Sequence, residues 1–364
     1  MLEKGNITKL LAIRFVRKWL LLPVSWLYGW VMNVRNILFD KGLFVSLMPD
    51  VPTICVGNLT VGGTGKTPAV EYLIKWYVRN EPGVPLETVT LSRGYGRRTK
   101  GFRITTESDT ADTVGDEPLQ LYRKFGHLVR VCVGERRADA IQFILRQFPE
   151  TERILLDDAF QHRAVRSHLN VLLMDYNRPF YDDYPFPAGR LRESRHGASR
   201  ANVIIVTKCP DNLNATERTA IEAHIRPYAR PETPVFFAGL HYEQPVSFAT
   251  HQSANGLTNV VLVSGLANAD PLERYVSQVF KLVRHHRFAD HYAYSRTNLN
   301  ALLASLPTDA ALLTTEKDWV KIDVLLTPNE RATLPLYYLP VAMRFLEGEE
   351  RFSALLTQDA LKKS

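Results

Sequence analysis

The sequence predicts an α/β fold with a mostly parallel sheet, followed by a second, smaller α/β domain. The first observation behind this prediction is a series of short apolar runs rich in valine and isoleucine, most of them separated by helical patterns. Strands that are apolar on both faces and alternate with helices are typical of a parallel sheet covered on both sides. The runs lie at 53–57, 88–92, 128–134, 153–157, 170–175 and 202–208.

The second observation is a change of pattern past about residue 235. Apolar segments such as VFFAGL, NVVLVSGL and LYYLPVAMRF continue there, but fewer long helices separate them. A chain of 364 residues is also longer than one hydrophobic core ordinarily serves. We therefore predict an N-terminal helical segment at 1–40, a core at 41–238 and a smaller C-terminal domain at 239–364.

Composition indicates a globular, basic protein. A hydrophobic content of 45% and the absence of repeats or low-complexity tracts exclude global disorder. The three cysteines, Cys55, Cys132 and Cys209, form no CxxC pair, which favours a reducing compartment. A net charge of +7 indicates attraction to nucleic acid, anionic lipid or a phosphorylated substrate, and charge alone does not choose among them.

The N-terminal segment carries basic residues followed by an uncharged run from Trp19 to Val34. This run is shorter than the roughly 18 to 20 residues of a spanning helix, and it contains Pro23 and Gly29. We expect a helix that lies in the membrane interface, with a buried core helix and a cleaved signal peptide as the alternatives. Its aromatic residues suit the headgroup boundary: Trp19, Trp26, Tyr28 and Trp30.

A glycine-rich loop, GNLTVGGTGKTP, follows the first apolar run and precedes an amphipathic helix. Backbone N–H groups of such a loop surround phosphates, while Lys66 would reach the β- and γ-phosphates and Thr67 would ligate Mg²⁺. The usual first glycine is replaced by Thr60, so an ordinary glycine turn is the alternative. We expect ATP to contact Thr60, Val61, Gly62, Gly63, Thr64, Gly65, Lys66 and Thr67.

A second part of the same site is predicted at RILLDDAFQHR. The apolar strand ends in Asp157 and Asp158, which places two carboxylates at the carboxyl edge of the sheet. A Mg²⁺ ion that bridges nucleotide phosphates would lie there. A turn that merely ends the strand is the alternative for the two aspartates.

Seven motifs now stand in order between about residue 56 and residue 318: VGNLTVGGTGKTP, LSRGYGR, VGDEP, LDDAFQH, PAGRLRE, RFADHY and TTEKD. Together they resemble the tetraacyldisaccharide 4′-kinases. The resemblance implies an ATP- and Mg²⁺-dependent lipid kinase that phosphorylates the 4′-hydroxyl of tetraacyldisaccharide 1-phosphate, giving lipid IVA in lipid A biosynthesis. It also implies a P-loop NTPase-like core, a smaller domain across a cleft, and an N-terminal helix at the cytoplasmic face of a Gram-negative inner membrane.

The resemblance assigns roles to individual residues. It implies that Asp116 and His291 form the catalytic base, assisted by Lys66 and Asp158, and leaves open which of the pair takes the proton. From the residues alone, Asp116 is equally a helix N-cap, and His291 is a lone loop histidine. The implied metal ligands are Thr67, Asp157, Asp158 and Glu193. The implied substrate residues are Arg93, Tyr95, Gln161, His162 and Arg192.

Two positions depart from the pattern that the resemblance implies. Ala159 stands where a glycine is usual, and Arg190 stands where a proline is usual. We expect Ala159 to make its turn stiffer, and Arg190 adds a cation to an already basic loop.

The basic stretch RGYGRRTKGFR is expected to meet phosphate of the substrate or membrane; a solvated loop and nucleic acid are the alternatives. TTEKD is interpreted as a helix cap formed by Thr315 and Asp318, without a chemical role. The rival class is a P-loop GTPase switch, suggested by TKCPD, although Asp211 lies one residue too far for guanine recognition. No nucleic acid and no obligatory protein partner are expected.

Overall fold

The computed structural model describes residues 2–80 and 85–357, with side chains from Leu20 onward. Two sheets organise the described chain. The larger has nine strands in the order β14-β8-β7-β6-β1-β5-β2-β4-β3, and the smaller has five in the order β11-β10-β12-β13-β9. Only the edge pairs β14–β8, β3–β4 and β13–β9 are antiparallel within these sheets. The predicted α/β fold with a mostly parallel sheet is confirmed.

The strands have the following bounds: β1 Thr53–Asn58, β2 Thr88–Ser92, β3 Arg103–Ile104, β4 Arg130–Val133, β5 Arg153–Asp157, β6 Leu169–Asp175, β7 Val203–Thr207, β8 Val235–Tyr242, β9 Val246–Ser247, β10 Asn259–Ser264, β11 Lys281–Arg287, β12 Ala310–Thr315, β13 Leu336–Leu339 and β14 Val341–Phe345. All six apolar runs singled out in the sequence form strands. Each lies in the larger sheet.

The helices have the following bounds: α1 Leu2–Asp40, α2 Lys66–Asn80, α3 Ala111–Val114, α4 Asp116–Phe125, α5 Arg137–Gln147, α6 Ala215–Ile225, α7 Asp270–Val279, α8 Arg296–Ala304, α9 Glu316–Asp323, α10 Pro328–Thr333 and α11 Glu349–Leu356. Short 3-10 helices cover Phe180–Asp182, Arg195–Arg200 and Arg226–Tyr228. The apolar spacing in α2 buries Val70, Leu73, Ile74 and Tyr77 against one face of the larger sheet.

Each sheet is packed on both faces. Helices α2, α4 and α11 cover one face of the larger sheet, and α5 covers the other. Helices α8 and α9 cover one face of the smaller sheet, and α7 covers the opposite face. Burial of apolar side chains in these layers is the main stabilising contribution to the fold.

The last part of the chain returns to the larger sheet, although it lies inside the range predicted for the smaller domain. Strand β14 pairs antiparallel with β8, and α11 packs against α2 through a hydrogen bond from Trp76 to Ser353. The polar–apolar pattern of the sequence does not show which sheet a strand joins, because pairing between distant strands depends on tertiary contacts. The division of the chain at 238 and 239 stays a prediction, with β14 and α11 as exceptions to it.

Helix α1 is continuous from Leu2 to Asp40 and contains Pro23, so this proline does not end the helix. One side of its described half, around Ser25 and Gly29, is buried against the protein. The opposite side exposes large apolar residues: Leu20, Val24, Trp26, Leu27, Trp30, Val31, Val34 and Ile37. Among the described residues, no helix combines the length and apolar character needed to cross a membrane.

Candidate active site

The predicted nucleotide loop lies at the carboxyl edge of the larger sheet. Strands β1, β5, β6 and β7 are adjacent and parallel, and their last residues are Asn58, Asp157, Asp175 and Thr207. Ligands of open α/β sheets bind at this edge, where loops from neighbouring strands converge. The loop runs from Asn58 to the first turn of α2.

The backbone of the loop explains why Thr60 is accepted in place of glycine. Positive φ angles occur at Gly62 and Gly65, +115° and +81°, where a side chain would be strained. Thr60 needs no such angle and instead forms an isolated bridge with Leu191. The sequence departure therefore falls at a position where the loop does not require glycine.

The segment TKCPD, at the end of β7, holds the backbone of this loop through hydrogen bonds. Thr207 donates a hydrogen bond to the carbonyl of Thr64 at 2.8 Å, and Lys208 donates to the carbonyl of Gly63. Lys208 has φ +58° and also pairs with Asp175 at 2.7 Å. Asp211 contacts His241 at 3.3 Å. The segment therefore positions the loop, a role that sequence reasoning missed.

Lys66 and Asp158 approach each other across the loop. Lys66 Nζ lies 3.9 Å from Asp158 Oδ1, and Arg192 Nη1 lies 2.7 Å from the same oxygen. Burial opposes ionisation of Asp158, but the charges of Lys66 and Arg192 outweigh it and hold its pKa below the ordinary value. Asp158 also adopts φ +49°, a strained angle of the kind that clusters at functional sites.

Asp157 differs from its neighbour in having an unpartnered oxygen. The residue is 2% exposed, and its Oδ1 has no hydrogen-bond partner among the described residues. Burial, followed by the charges of Glu117 and Asp158, raises the pKa of Asp157 well above its ordinary value. A buried, unsatisfied carboxylate oxygen beside a phosphate loop fits an oxygen-ligating divalent cation, which would restore the charged form.

The carboxylate of Glu193 is held by three neighbouring side chains. Its carboxylate accepts hydrogen bonds from Arg200 at 2.7 Å, Gln161 at 2.9 Å and Asn36 at 2.8 Å. Within the described part of the chain, no three histidine, cysteine or acidic residues group as a metal site. Through these contacts Glu193 joins α1 to the core, and its metal role stays a prediction.

Replacing Glu193 with glutamine should lower the free energy of unfolding by about 2–3 kcal/mol, because hydrogen bonds to a buried charged group are lost and Arg200 keeps no carboxylate partner. Urea unfolding followed by circular dichroism measures the change. The matched control is Glu232→Gln, since Glu232 is exposed and lies 3.7 Å from Arg230; it should change stability by less than about 0.5 kcal/mol. Equal stability of the two variants would contradict the assignment.

Asp116 at the start of α4 and His291 after β11 contact each other. His291 Nδ1 lies 3.0 Å from Asp116 Oδ2, although the residues come from different parts of the chain. The N-cap of α4 is Gly115, so the alternative reading of Asp116 as a helix cap is wrong. Burial alone would raise the pKa of Asp116, but the His291 hydrogen bond and the charges of Lys321 and Lys317 lower it overall.

Two polar residues that follow β5, Gln161 and His162, make structural contacts beside the site. Gln161 donates to the carbonyl of Asn58 at 2.9 Å, and Arg137 N–H donates to His162 Nε2 at 3.3 Å. Burial, with help from nearby arginines, lowers the pKa of His162 to about 4, so this histidine is neutral at pH 7. Gln161 therefore lies beside the start of the phosphate loop, and the substrate role of both residues stays a prediction.

Only part of the basic stretch faces the site. Tyr95 is 72% exposed, and its ring centroid lies 5.6 Å from that of His291, while Arg93 is exposed. Three other cations form ion pairs within the fold: Arg97 with Glu135, Arg98 with Asp112, and Arg103 with Asp109. The number of free cations is therefore smaller than the sequence suggested, because the acidic partners lie outside the stretch.

The segment TTEKD forms the predicted helix cap and also lies beside the Asp116–His291 pair. Thr315 caps α9 as expected, its side chain accepting from the N–H of Asp318. The same helix also places Lys317 beside His291 and Lys321 beside Asp116, at 3.1 Å and 3.5 Å. The helical spacing of the two lysines was visible in the sequence, but their target was not.

A cavity of about 860 Å³ opens near the end of α1 and runs along β1 and β6. Its wall combines cationic and apolar side chains. The cationic residues are Arg163, Arg166, Arg200 and Arg230, and the apolar ones include Phe39, Phe44, Met48, Phe160 and Val165. Such a lining suits an anionic amphiphile.

The parallel sheet, the phosphate loop and the paired carboxylates define a P-loop phosphotransferase. The model of the LpxK family, tetraacyldisaccharide-1-P 4′-kinase, matches residues 17–360. The chain therefore belongs to the tetraacyldisaccharide 4′-kinase family.

Individual relatives agree with this membership. A tetraacyldisaccharide 4′-kinase of Cytophaga hutchinsonii is 36% identical, over 92% of this chain and 93% of the relative. One from Bacteroides thetaiotaomicron is 38% identical, over 92% and 90%. The crystal structure of LpxK from Aquifex aeolicus in complex with ATP has 28% identity and a TM-score of 0.73, covering 93% of this chain and 98% of that one.

Proposed function

We propose that this kinase transfers the γ-phosphate of ATP to the 4′-hydroxyl of tetraacyldisaccharide 1-phosphate, working at the cytoplasmic face of an inner membrane. The observation that carries the proposal is the position of the Asp116–His291 pair. Asp116 begins α4, which packs on the larger sheet that bears the phosphate loop, and His291 follows β11 of the smaller sheet. Family membership supplies the identity of the acceptor.

The loop is suited to hold the triphosphate of ATP. Backbone N–H groups from Gly62 to Thr67 would surround the β- and γ-phosphates, and the positive end of the α2 dipole would face them. The Lys66 ammonium now lies 3.9 Å from the Asp158 carboxylate. When ATP binds, it would contact the phosphates instead. The residues then stabilise the charge that moves onto the leaving ADP.

Thr67 and Asp157 are the residues best placed to hold Mg²⁺ beside the phosphates, with Asp158 next to them. Mg²⁺ is commonly held by one or two carboxylates together with substrate phosphates and water, so a larger protein cage is not required. When bound, the ion neutralises charge on the phosphate oxygens. Asp158, paired with Arg192 and Lys66, orients these neighbours.

Asp116 is the better candidate to take the acceptor proton. His291 Nδ1 contacts Asp116 Oδ2, while no described residue donates a hydrogen bond to Asp116 Oδ1. As the acceptor oxygen bonds to the γ-phosphorus and the bond to ADP breaks, the hydroxyl proton passes to Oδ1. His291 keeps the carboxylate oriented during this step.

The exposed apolar side of α1 is proposed to lie in the membrane interface. Trp26 and Trp30 are 67% and 63% exposed, and the apolar surface continues past the helix at Leu43, Phe44 and Val45. On its other side, α1 contacts the active-site loops, since Tyr28 donates to the carbonyl of Arg192 at 2.8 Å. The amphiphilic cavity beside α1 matches an acceptor that carries acyl chains and a phosphate.

Placing glutamate at both Trp26 and Trp30 should weaken binding to mixed phosphatidylcholine and phosphatidylglycerol vesicles by about tenfold or more, because charged groups then face the interface. Vesicle co-sedimentation measures this. The control is Val279→Glu with Val283→Glu, which adds two acids at exposed apolar positions of the smaller domain. A loss of binding of the same size in the control would contradict an α1-specific interface.

The direct test of function is a product assay. The purified protein is incubated in detergent with ATP, Mg²⁺ and tetraacyldisaccharide 1-phosphate, and mass spectrometry detects an acceptor heavier by one phosphate. ATP consumption that depends on the acceptor supports the kinase. Acceptor-independent hydrolysis of GTP would favour the GTPase switch instead.

A further inference from the structure

We propose that Lys317 and Lys321 of α9 are positioning residues for the Asp116–His291 pair. Lys317 selects the tautomer and orientation of His291, and Lys321 holds the Asp116 carboxylate in place. The inference rests on the proposed function, because it assumes that the pair serves acceptor deprotonation. It extends that function to α9, a helix that packs on the smaller sheet.

The contact of Lys317 determines which imidazole nitrogen carries the proton. Lys317 Nζ lies 3.1 Å from His291 Nε2 and 3.0 Å from Asp290 Oδ1. An ammonium group only donates hydrogen bonds, so Nε2 must accept with its lone pair. The neutral ring then carries its hydrogen on Nδ1, facing Asp116 Oδ2 at 3.0 Å. Both ring nitrogens are thereby engaged, and the imidazole cannot turn without losing one contact.

Lys321 acts on the other member of the pair. It is 7% exposed, and its Nζ lies 3.5 Å from Asp116 Oδ2 and 3.1 Å from Asp318 Oδ1. Neither contact has hydrogen-bond geometry, so both are ion pairs. The ammonium also lies 5.5 Å from the centroid of the Tyr294 ring. A cation buried this deeply needs both carboxylates, and it attracts Asp116 toward the position that His291 contacts.

Helix α9 is itself held firmly. Trp319 is buried and stacks on Tyr338 with ring centroids 4.2 Å apart, and Asp318 accepts from the N–H of Gly265 at 2.8 Å. Lys124 of α4 contacts both Glu316 of α9 and Glu71 of α2. The helix that begins at Lys66 and the helix that carries the two lysines are thus joined through the half-buried cation Lys124.

The two lysines share one face of α9 because they are four residues apart. A small set of charged groups faces the Asp116–His291 pair. His291 faces Asp116 and Lys317, with the ring of Tyr95 beside it, and Asp116 faces His291, Lys317 and Lys321. Asp290 and Asp318 are the counter-charges of the lysines. Removal of either ammonium therefore raises the free energy of the ionised Asp116 carboxylate.

The test compares Lys317→Met and Lys321→Met with the wild-type enzyme in the product assay over a range of pH. We expect kcat of Lys317→Met to fall about 10- to 100-fold, the range found for groups that orient metal-ligating histidines. The acidic limb of its kcat profile should move to higher pH, since Asp116 loses a stabilising cation and its pKa rises. KM for ATP should stay within about twofold, because the phosphate loop is unchanged.

Conservative replacement and a matched surface lysine complete the test. Lys317→Arg should recover most of kcat, because a guanidinium also only donates, and Lys281→Met, an exposed lysine of β11, should match the wild type. Lys321 is buried, so the Lys321→Met variant is the one at risk of misfolding. The side chain of Lys317 is 18% exposed, so Lys317→Met tests the proposal even if the other variant does not fold.

A folded Lys317→Met enzyme with wild-type kcat and an unmoved pH profile would overturn the inference while leaving the kinase function intact. A lowered melting temperature with an unmoved profile would likewise overturn it, because that pattern indicates a merely structural role. A wild-type protein that phosphorylates no acceptor would overturn both the inference and the function on which it rests.

Discussion

Lys66→Ala is expected to lower kcat by about two to three orders of magnitude, the usual effect of removing one donor that stabilises transition-state charge. In the structure this ammonium is the cation of the phosphate loop, at the first position of α2. Its loss removes one of the groups that stabilise the charge developing on the leaving ADP. Asp158 keeps Arg192 at 2.7 Å, so the local fold should persist. Single-turnover phosphorylation of the acceptor at saturating ATP measures the effect.

The control for this variant is another lysine of the same helix. Lys75 is exposed and lies 3.9 Å from Glu243, a surface pair that contributes little. Lys75→Ala should therefore retain wild-type kcat. Full turnover and full ATP affinity in Lys66→Ala would show that the loop does not hold the triphosphate.

Asp116→Asn is expected to lower kcat by about two to four orders of magnitude, the range ascribed to a positioned general base. The amide has the shape of the carboxylate, and its oxygen can still accept from His291, so geometry is largely kept while basicity is lost. The acidic limb of the kcat profile should disappear with the titrating group. Product formation by mass spectrometry and calorimetric binding of an ATP analogue measure the two properties separately.

Binding separates a chemical defect from a structural one. The ATP analogue should bind Asp116→Asn as tightly as the wild type, because Asp116 belongs to α4 and not to the phosphate loop. Asp112→Asn is a matched control, since Asp112 is exposed and lies 3.5 Å from Arg98. Wild-type turnover in Asp116→Asn would remove Asp116 from the role of base.

The parts of the fold that local patterns determine were predictable from the sequence. Apolar runs became strands, and the spacing of Val70, Leu73 and Ile74 became the buried side of α2. The phosphate loop was predictable because its geometry depends on consecutive residues. The Asp116–His291 contact was implied by resemblance, and the structure brings the two residues within hydrogen-bond distance.

Long-range electrostatic partners were not predictable. The resemblance implied a metal role for Glu193, but it did not show which side chains donate hydrogen bonds to its carboxylate. These donors, Asn36, Gln161 and Arg200, come from three separate segments. The sequence likewise did not show that Lys317 contacts His291. Local sequence shows that a charge is present, but tertiary packing decides which charge it meets.

Strand β14 illustrates the same limit at the level of topology. Its sequence resembles the strands of the smaller sheet, but β14 pairs with β8 in the larger sheet. Pairing between strands far apart in the chain depends on tertiary contacts rather than on the strand's own sequence. No local pattern in Val341–Phe345 records that choice.

The most direct test of the account is a crystal structure with a non-hydrolysable ATP analogue and Mn²⁺ in place of Mg²⁺, with the metal located by anomalous scattering. The account predicts the triphosphate on the backbone between Gly62 and Thr67, and the metal bonded to Asp157 or Thr67 beside it. A nucleotide bound elsewhere, or a metal held by Glu193 away from the loop, would contradict the account.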